Sequence, residues 1–458
     1  MGTAWIITHA RTPRGRGKKD VGKLSGIHPQ ELFAQTLSAV VKRGGIDAKS
    51  IDDVIAGVVS EYGEQGANLA RNAVLAAGLP ENVTDLRFTV TTGMGGTGVV
   101  ATLENGPGPI VMYRADMDAL AVEEGTGLDY ASTVRVRRDD GSESPVGHVC
   151  GHDAHVVWML GMARVLAQTT DTWSGTAVLI GQPAEELIAG AQAMVDDGLY
   201  DVAPKPDAFV AMHTAPVPVG MLAAAGGERM AGTDQLDIVF HGVGGHGSMP
   251  QLAKDPVLMA ALAVVEFQTI VSRTIAPNET AVLTVGAVQA GSAYNVIPAD
   301  ALLKVNLRWF NPYVREQLIA GIRAVSEGIA RSYGMPDDQL PTITMAGGST
   351  PLVNDFRLTD QLASVLGGVI GADNVVTQLP ALAGSEDCHL LKGPHQDVPL
   401  AYLMVGAADP QVCADAAAAG KLFPYTPHSP DYVVDLAAVP FGTRVASHAM
   451  LELLGTAS

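Results

Sequence analysis

Ile110-Val111-Met112-Tyr113-Arg114-Ala115-Asp116-Met117-Asp118-Ala119-Leu120 joins a short apolar run directly to a charged end. Ile110–Tyr113 reads as a strand. Arg114, Asp116 and Asp118 follow at its end, where α/β proteins gather functional groups. The same arrangement recurs downstream. Thr176–Ile180 is a buried strand that ends in Gln182-Pro183-Ala184-Glu185-Glu186, and Ala208–Met212 is another with His213 at its end. An apolar helix over Val156–Ala167 separates the first strand from the second. Strands alternating with helices specify the α/β class. Taken singly, the polar residues have ordinary readings. Aspartates cap helices and form turns, a Glu-Glu pair is common surface, and a lone histidine is usually structural.

The segment Val146-Gly-His-Val-Cys-Gly-His-Asp-Ala-His155 is denser. Cys150 and His152 are two apart, so in a turned segment both can face one cavity, and thiolate with imidazole suits zinc and its transition-metal neighbours. Two ligands do not make a site. The others must come from elsewhere, and Glu186, His213 and His428, at or beyond strand ends or in adjacent loops, make up a candidate set with them. Upstream, Gly93-Met-Gly-Gly-Thr-Gly98 satisfies G-x-G-x-x-G, but a dinucleotide fingerprint needs a helix next. Val99–Leu103 is β-branched and short, turn residues follow at Asn105–Pro109, and Ile110–Tyr113 is the next strand. The expectation is a hairpin and no nucleotide site.

The chain has 458 residues, a length that suggests about three units. A net charge of −19 argues against a nucleic-acid surface. Three cysteines, Cys150, Cys388 and Cys413, cannot build a disulfide framework, and a reducing cytoplasm fits them best. No apolar run is expected to approach the ~18 residues that span a bilayer. The basic N-terminal stretch lacks the apolar core of a secretory signal.

Residues 221–340 read as a separate block. A strand over Gln235–Gly242 leads to the glycine-rich Gly244–Pro250 loop. A helix over Pro256–Arg273, strands at Thr280–Gln289 and Ala301–Phe310, and a helix over Tyr313–Tyr333 follow. That order suits a small α+β domain with one helical face. Late candidates are Gly384-Ser385-Glu386-Asp387 and His428, and the last helix is Val439–Leu454.

Two resemblances organise these observations. Residues 1–82 resemble the start of a thiolase, an acetyl-CoA acetyltransferase, in Ala10–Gly15, Ile51–Ile55 with Gly57, and Gly63–Arg71. Within them, Trp5–Ile7 and Ile51–Val59 read as strands, and His28–Lys42 and Asn68–Ala77 as helices. The likeness stops before the thiolase nucleophile, and no cysteine occurs until Cys150, so thiolase chemistry is not expected. From about residue 86 the chain resembles metallopeptidase family M20, in its aminoacylase and hippurate-hydrolase branch. The matching motifs are Arg114–Leu120, Cys150–Asp153, Gln182–Glu186, Met212-His213, Gly244–Gly247, Asn295–Pro298, Gly384–Asp387 and His428.

The M20 resemblance implies a catalytic α/β domain with a central mixed sheet, formed by residues 83–220 and 341–458. The smaller α+β lid and dimerisation domain, 221–340, interrupts it. It also implies two divalent ions (Zn, Mn, Co or Ni) bridged by Cys150, with His152 and His213 completing one and Glu186 and His428 the other. Glu185 would be the general base and Asp118 a supporting carboxylate. His246 would reach the partner subunit's active site in a homodimer, and Asn295 and Arg308 would hold a substrate carboxylate. The implied activity is cleavage of the amide bond of N-acyl or N-aroyl amino acids, hippurate-like, or of small dipeptide-like substrates. The family's N-terminal helical segment is replaced here by the thiolase-like piece. A second expectation follows, of a catalytically impaired metal-binding or interaction protein.

Overall fold

The computed structural model describes residues 8–10, 12, 27–51, 54, 73–74, 76–77, 88–138 and 140–456. The chain divides into two compact units, Met1–Phe88 and Thr89–Ser458. In the first, helix α1 (Pro29–Gly44) begins where Pro29 presets the helical φ and His28 Nδ1 accepts the Gln30 N–H at 3.2 Å. It ends at Gly45, which adopts φ +61°. Leu37, Val41, Ala48 and Ile51 pack around the buried Val74. The expected strand Trp5–Ile7, most of Ile51–Val59 and of Asn68–Ala77, and nearly all the thiolase-like pieces lie outside the described residues.

The second unit is built on a nine-stranded mixed sheet among the described residues. Its main strands are β1 (Phe88–Met94), β2 (Gly98–Asn105), β3 (Ile110–Asp116), β4 (Trp173–Gln182), β5 (Ala208–Pro218), β6 (Leu222–Ala223), β7 (Val375–Val376) and β8 (Leu400–Ala408), in the order β1-β2-β4-β3-β5-β8-β6-β7. β3, β4, β5 and β8 run parallel. Parallel strands are covered on both faces, which is why β3 is buried from Val111 through Asp116. Helices α2 (His152–Gln168) and α3 (Ala438–Leu453) pack together. Gly442 lets the Trp158 ring lie against the second helix, since a Cβ there would fall 2.1 Å from the indole.

The hairpin expected between Val99–Leu103 and Ile110–Tyr113 does not form. β4 inserts between β2 and β3, and β2 instead neighbours β1 across the glycine turn. The turn residues at 105–109 signalled reversal correctly, but local chemistry cannot say which strand fills the gap. Gly98–Asn105 is a strand and not a helix, so the glycine repeat lacks its dinucleotide context.

The block expected as a lid contains a four-stranded antiparallel sheet, Ala281–Ala290, Asp300–Trp309, Gly232–His241 and Thr342–Ser349 in spatial order. Its last strand runs past residue 340. One face is apolar: Leu236, Ile238, Phe240, Leu303, Val305 and Leu307 meet Met259, Ala263 and Phe267 of helix Pro256–Thr269 and Leu318 and Ile322 of helix Pro312–Ser332. The stretch Pro256–Thr274 is long and apolar enough to cross a membrane, contrary to the expectation that no such run exists. Its buried residues belong to the lid core.

Candidate metal and hydrolytic site

The parallel strands deliver their polar ends to one edge: Asp116 closes β3 and Gln182 closes β4. Cys150 precedes α2, Gly151 turns the chain at φ +83°, and His152 opens the helix. His213 lies within β5 and not at its end as expected, because pairing with β8 carries the strand on to Pro218. Glu185 and Glu186 follow β4, and His428 comes from a late loop at φ +67°. The non-glycine residues with positive φ among the described residues are Ala184, Ile188 and His428. All three sit in the loops that carry these side chains. Such conformations persist only where the surroundings over-determine them.

The five expected ligands are brought together. Cys150 Sγ is 3.6 Å from His213 Nε2. Cys150, Glu186 and His428 offer donor atoms within 4.8 Å of one another. Glu186 Oε1 is 3.1 Å from His428 Nε2 and 3.9 Å from His152 Nε2. The tautomers are set by backbone acceptors. His213 Nδ1 donates to the Thr214 carbonyl at 2.7 Å and His152 Nδ1 to the Asp118 carbonyl at 2.9 Å. Both Nε2 lone pairs therefore face the cluster. Asp118 Oδ2 accepts the Glu186 N–H at 3.0 Å, so one residue orients two of the donors.

Beneath them lies a network that sequence reasoning assigned no role. Arg114, fully buried, donates to Gln182 Oε1 and Asp116 Oδ2 at 2.8 Å and to both oxygens of Glu386 at 2.9 and 3.2 Å. His155 Nδ1 donates to Asp116, and its Nε2 accepts the Thr214 N–H at 2.8 Å. Each had a visible signal, since Arg114 and Glu386 fall in quoted motifs and His155 ends the Val146–His155 cluster. Spacing alone did not say that they meet.

The residues fit divalent cations. Buried His152 Nε2 and Glu186 Oε1 lack hydrogen-bond partners. Negative charge is also in excess, because Asp116, Glu185, Glu386 and Asp387 are all buried around Arg114, the one buried guanidinium among the described residues. Burial, then Glu186, Asp116 and Glu185, push the Cys150 thiol up. Burial would lower His152, but Asp116 and the Asp118 hydrogen bond outweigh it and raise its pKa to about 9. A cation here must displace protons that the carboxylates favour. Burial and repulsion from Glu386 lift Glu185 well above the usual carboxylate range despite the opposing Arg114. That is the direction a general acid–base needs.

A cavity of about 750 Å³ opens over the cluster, lined by Cys150, Glu185, Glu186, His213, His428 and, from the lid, Arg308. Arg308 Nε donates to Asn306 Oδ1 at 2.8 Å and Nη1 to Ser385 Oγ. His246 and Asn295 do not line the cavity. They are exposed on adjacent short segments of the lid, where the Gly247 N–H donates to the Asn295 carbonyl at 2.8 Å.

Residues 112–452 match the family described as Peptidase family M20/M25/M40, and residues 4–106 match the thiolase N-terminal domain. The second match extends into the residues of β1 and β2. The N-acetyl-L-cysteine deacetylase of Bacillus subtilis is 36% identical over 57% of this chain and 60% of its own length. The IAA-amino acid hydrolase ILR1-like 2 of Arabidopsis thaliana is 31% identical over 78% of this chain and 75% of its own length. Among solved structures, a putative aminohydrolase from methicillin-resistant Staphylococcus aureus superposes with a TM-score of 0.66 at 28% identity, covering 80% of this chain and 88% of that one. The Bacillus subtilis YXEP protein, described as a dinuclear metal-binding peptidase from the M20 family, gives 0.59 at 26% identity over 81% and 87%. With the family match running over residues 112–452, well over half of its length, the chain belongs to peptidase family M20/M25/M40.

Proposed function

We propose that this protein is a dinuclear metal-dependent amidohydrolase that cleaves the amide bond of N-acyl amino acids. The observation that supports the reading is the convergence of Cys150, Glu186, His213 and His428 with the buried Glu185 on one cavity, with His152 Nε2 3.9 Å from Glu186 Oε1. Cys150 would be shared between two ions, His152 and His213 would hold one, and Glu186 and His428 the other. Such ions supply Lewis acidity and lower the pKa of water. Glu185 takes the proton from the attacking water and returns it to the leaving amine. Asp118 fixes the position of Glu186 through its backbone N–H and of His152 through its own carbonyl. Arg308, whose Nη2 carries no hydrogen bond among the described residues, receives the substrate carboxylate; Asn295, exposed beside His246 and outside this cavity, would assist only from a second subunit.

His246, exposed on the lid, would complete a second subunit's site by steadying charge on the carbonyl oxygen. The homodimer this requires forms through the lid, whose helix Pro256–Thr269 exposes Val257, Leu258, Leu262 and Val265. Three free cysteines suit a reducing cytoplasm. The test is turnover of N-acyl amino acids by the full chain, abolished by chelator and restored by zinc, manganese, cobalt or nickel. Glu185→Gln should keep the ions and lose about 10²–10⁴-fold in rate. Full activity in that variant would defeat the proposal. Bound metal without turnover in dimeric protein would favour the catalytically impaired reading.

A further inference from the structure

We infer that the Tyr432 hydroxyl is a positioning group that couples the two halves of the metal site, so that each ion binds more tightly once the other is in place. The inference rests on the dinuclear reading and adds to it a residue outside the five donors. Thr214 is the hub. Its carbonyl accepts His213 Nδ1 at 2.7 Å, its Oγ1 donates to the Cys150 carbonyl at 2.9 Å, and its N–H donates to His155 Nε2 at 2.8 Å. The same Oγ1 accepts the Tyr432 hydroxyl at 2.8 Å. Thr214 and Tyr432 are both buried, so bulk water does not reach this bond.

Tyr432 follows His428 by four residues on the same late loop. That loop needs the anchor. Cys150 and His152 are buried, but the His428 side chain is 50% exposed, so packing does little to place it. Its backbone also sits at φ +67°, which a residue with a Cβ keeps only while its surroundings over-determine it. The His428 N–H donates to the Val149 carbonyl at 2.8 Å, and the Pro430 carbonyl accepts the Gly125 N–H at 2.7 Å. The Tyr432 hydroxyl supplies the attachment to the strand that carries His213. An ion held by Cys150, His152 and His213 therefore fixes Thr214, and through Tyr432 it fixes the loop that presents His428 to the second ion. Linkage makes the effect mutual.

The experiment is a zinc titration of the metal-free full chain in competition with a chelator, followed by calorimetry. The wild type should take two ions. Tyr432→Phe keeps the ring and its edge contact with Tyr425, 5.3 Å between centroids. It should bind the first ion as before and the second about 10–100-fold more weakly. Thr214→Val should weaken the second ion at least as much, and adding Tyr432→Phe to it should cost nothing further, because the same bond is already gone. Tyr425→Phe removes a hydroxyl from the same loop that donates to the Val433 carbonyl and not to Thr214. It should leave both affinities unchanged, which separates coupling from a general loosening of the loop. Intact affinities in Tyr432→Phe, or an equal loss of both ions there, would overturn the inference and leave the dinuclear reading standing. A single ion per wild-type chain would overturn both.

Discussion

Replacing Gly151 with alanine should damage the metal cluster more than any ordinary glycine substitution in this chain. Gly151 lies between Cys150 and His152 at φ +83°, a conformation that costs a residue with a Cβ about 1–2 kcal/mol. Its Cβ would also sit 2.5 Å from Thr214 Oγ1. That hydroxyl donates to the Cys150 carbonyl at 2.9 Å and accepts from Tyr432 at 2.8 Å, so it cannot step aside freely. Overpacking of this kind typically costs about 1–3 kcal/mol more. The combined loss is roughly 2–5 kcal/mol. Gly420 provides the control: it has φ +74° with nothing within 4 Å of an added Cβ, so Gly420→Ala should show the conformational cost alone. Urea unfolding of both variants, followed by metal analysis after dialysis, separates the two terms. Gly151→Ala should unfold at lower urea than Gly420→Ala and hold less metal. Equal midpoints with full metal content would refute the claim that Thr214 clamps this turn.

Arg114→Met removes the guanidinium from Asp116 and Glu386 and leaves buried carboxylates uncompensated, a loss of about 3–5 kcal/mol readable by urea unfolding. Arg114→Lys should rescue little, because Nε and both Nη atoms are engaged. Asp118→Ala frees the Glu186 N–H while keeping the backbone carbonyl that holds His152, and should weaken metal affinity about 10–100-fold in a chelator competition, with a smaller effect on unfolding. His389 is buried beside Thr350, and burial first, then Lys392, lower its pKa to about 4. Between pH 6.5 and 4 the unfolded chain binds the proton and the folded one does not. Stability is therefore complete above about 6.5 and falls as pH drops, by about 3 kcal/mol near pH 4. His389→Asn should lose that part of the pH slope; an unchanged slope would show that His389 does not supply it.

The α/β class was legible in the sequence, and so were the strands and helices of the 221–340 block. Strand ends bearing Asp116 and Gln182 announce themselves by an abrupt switch from apolar to polar residues. Topology was not legible in the same way. Nothing between Asn105 and Ile110 reveals that β4, more than sixty residues later, will separate β2 from β3. The extension of β5 beyond His213 comes from its partner β8, again remote in sequence. The buried support around Arg114 was harder still. Its members, Asp116, Gln182 and Glu386, come from two strand ends and a late loop, and only the fold makes Arg114 the counter-charge of a carboxylate cluster.

The proposed hydrolysis requires Cys150 to join the histidine and carboxylate donors around two cations. Cobalt titration of the metal-free full chain tests this most directly. The prediction is two ions per chain, with a thiolate-to-cobalt charge-transfer band that disappears in Cys150→Ser. Saturation without that band, or an unchanged spectrum and stoichiometry in the serine variant, would contradict it.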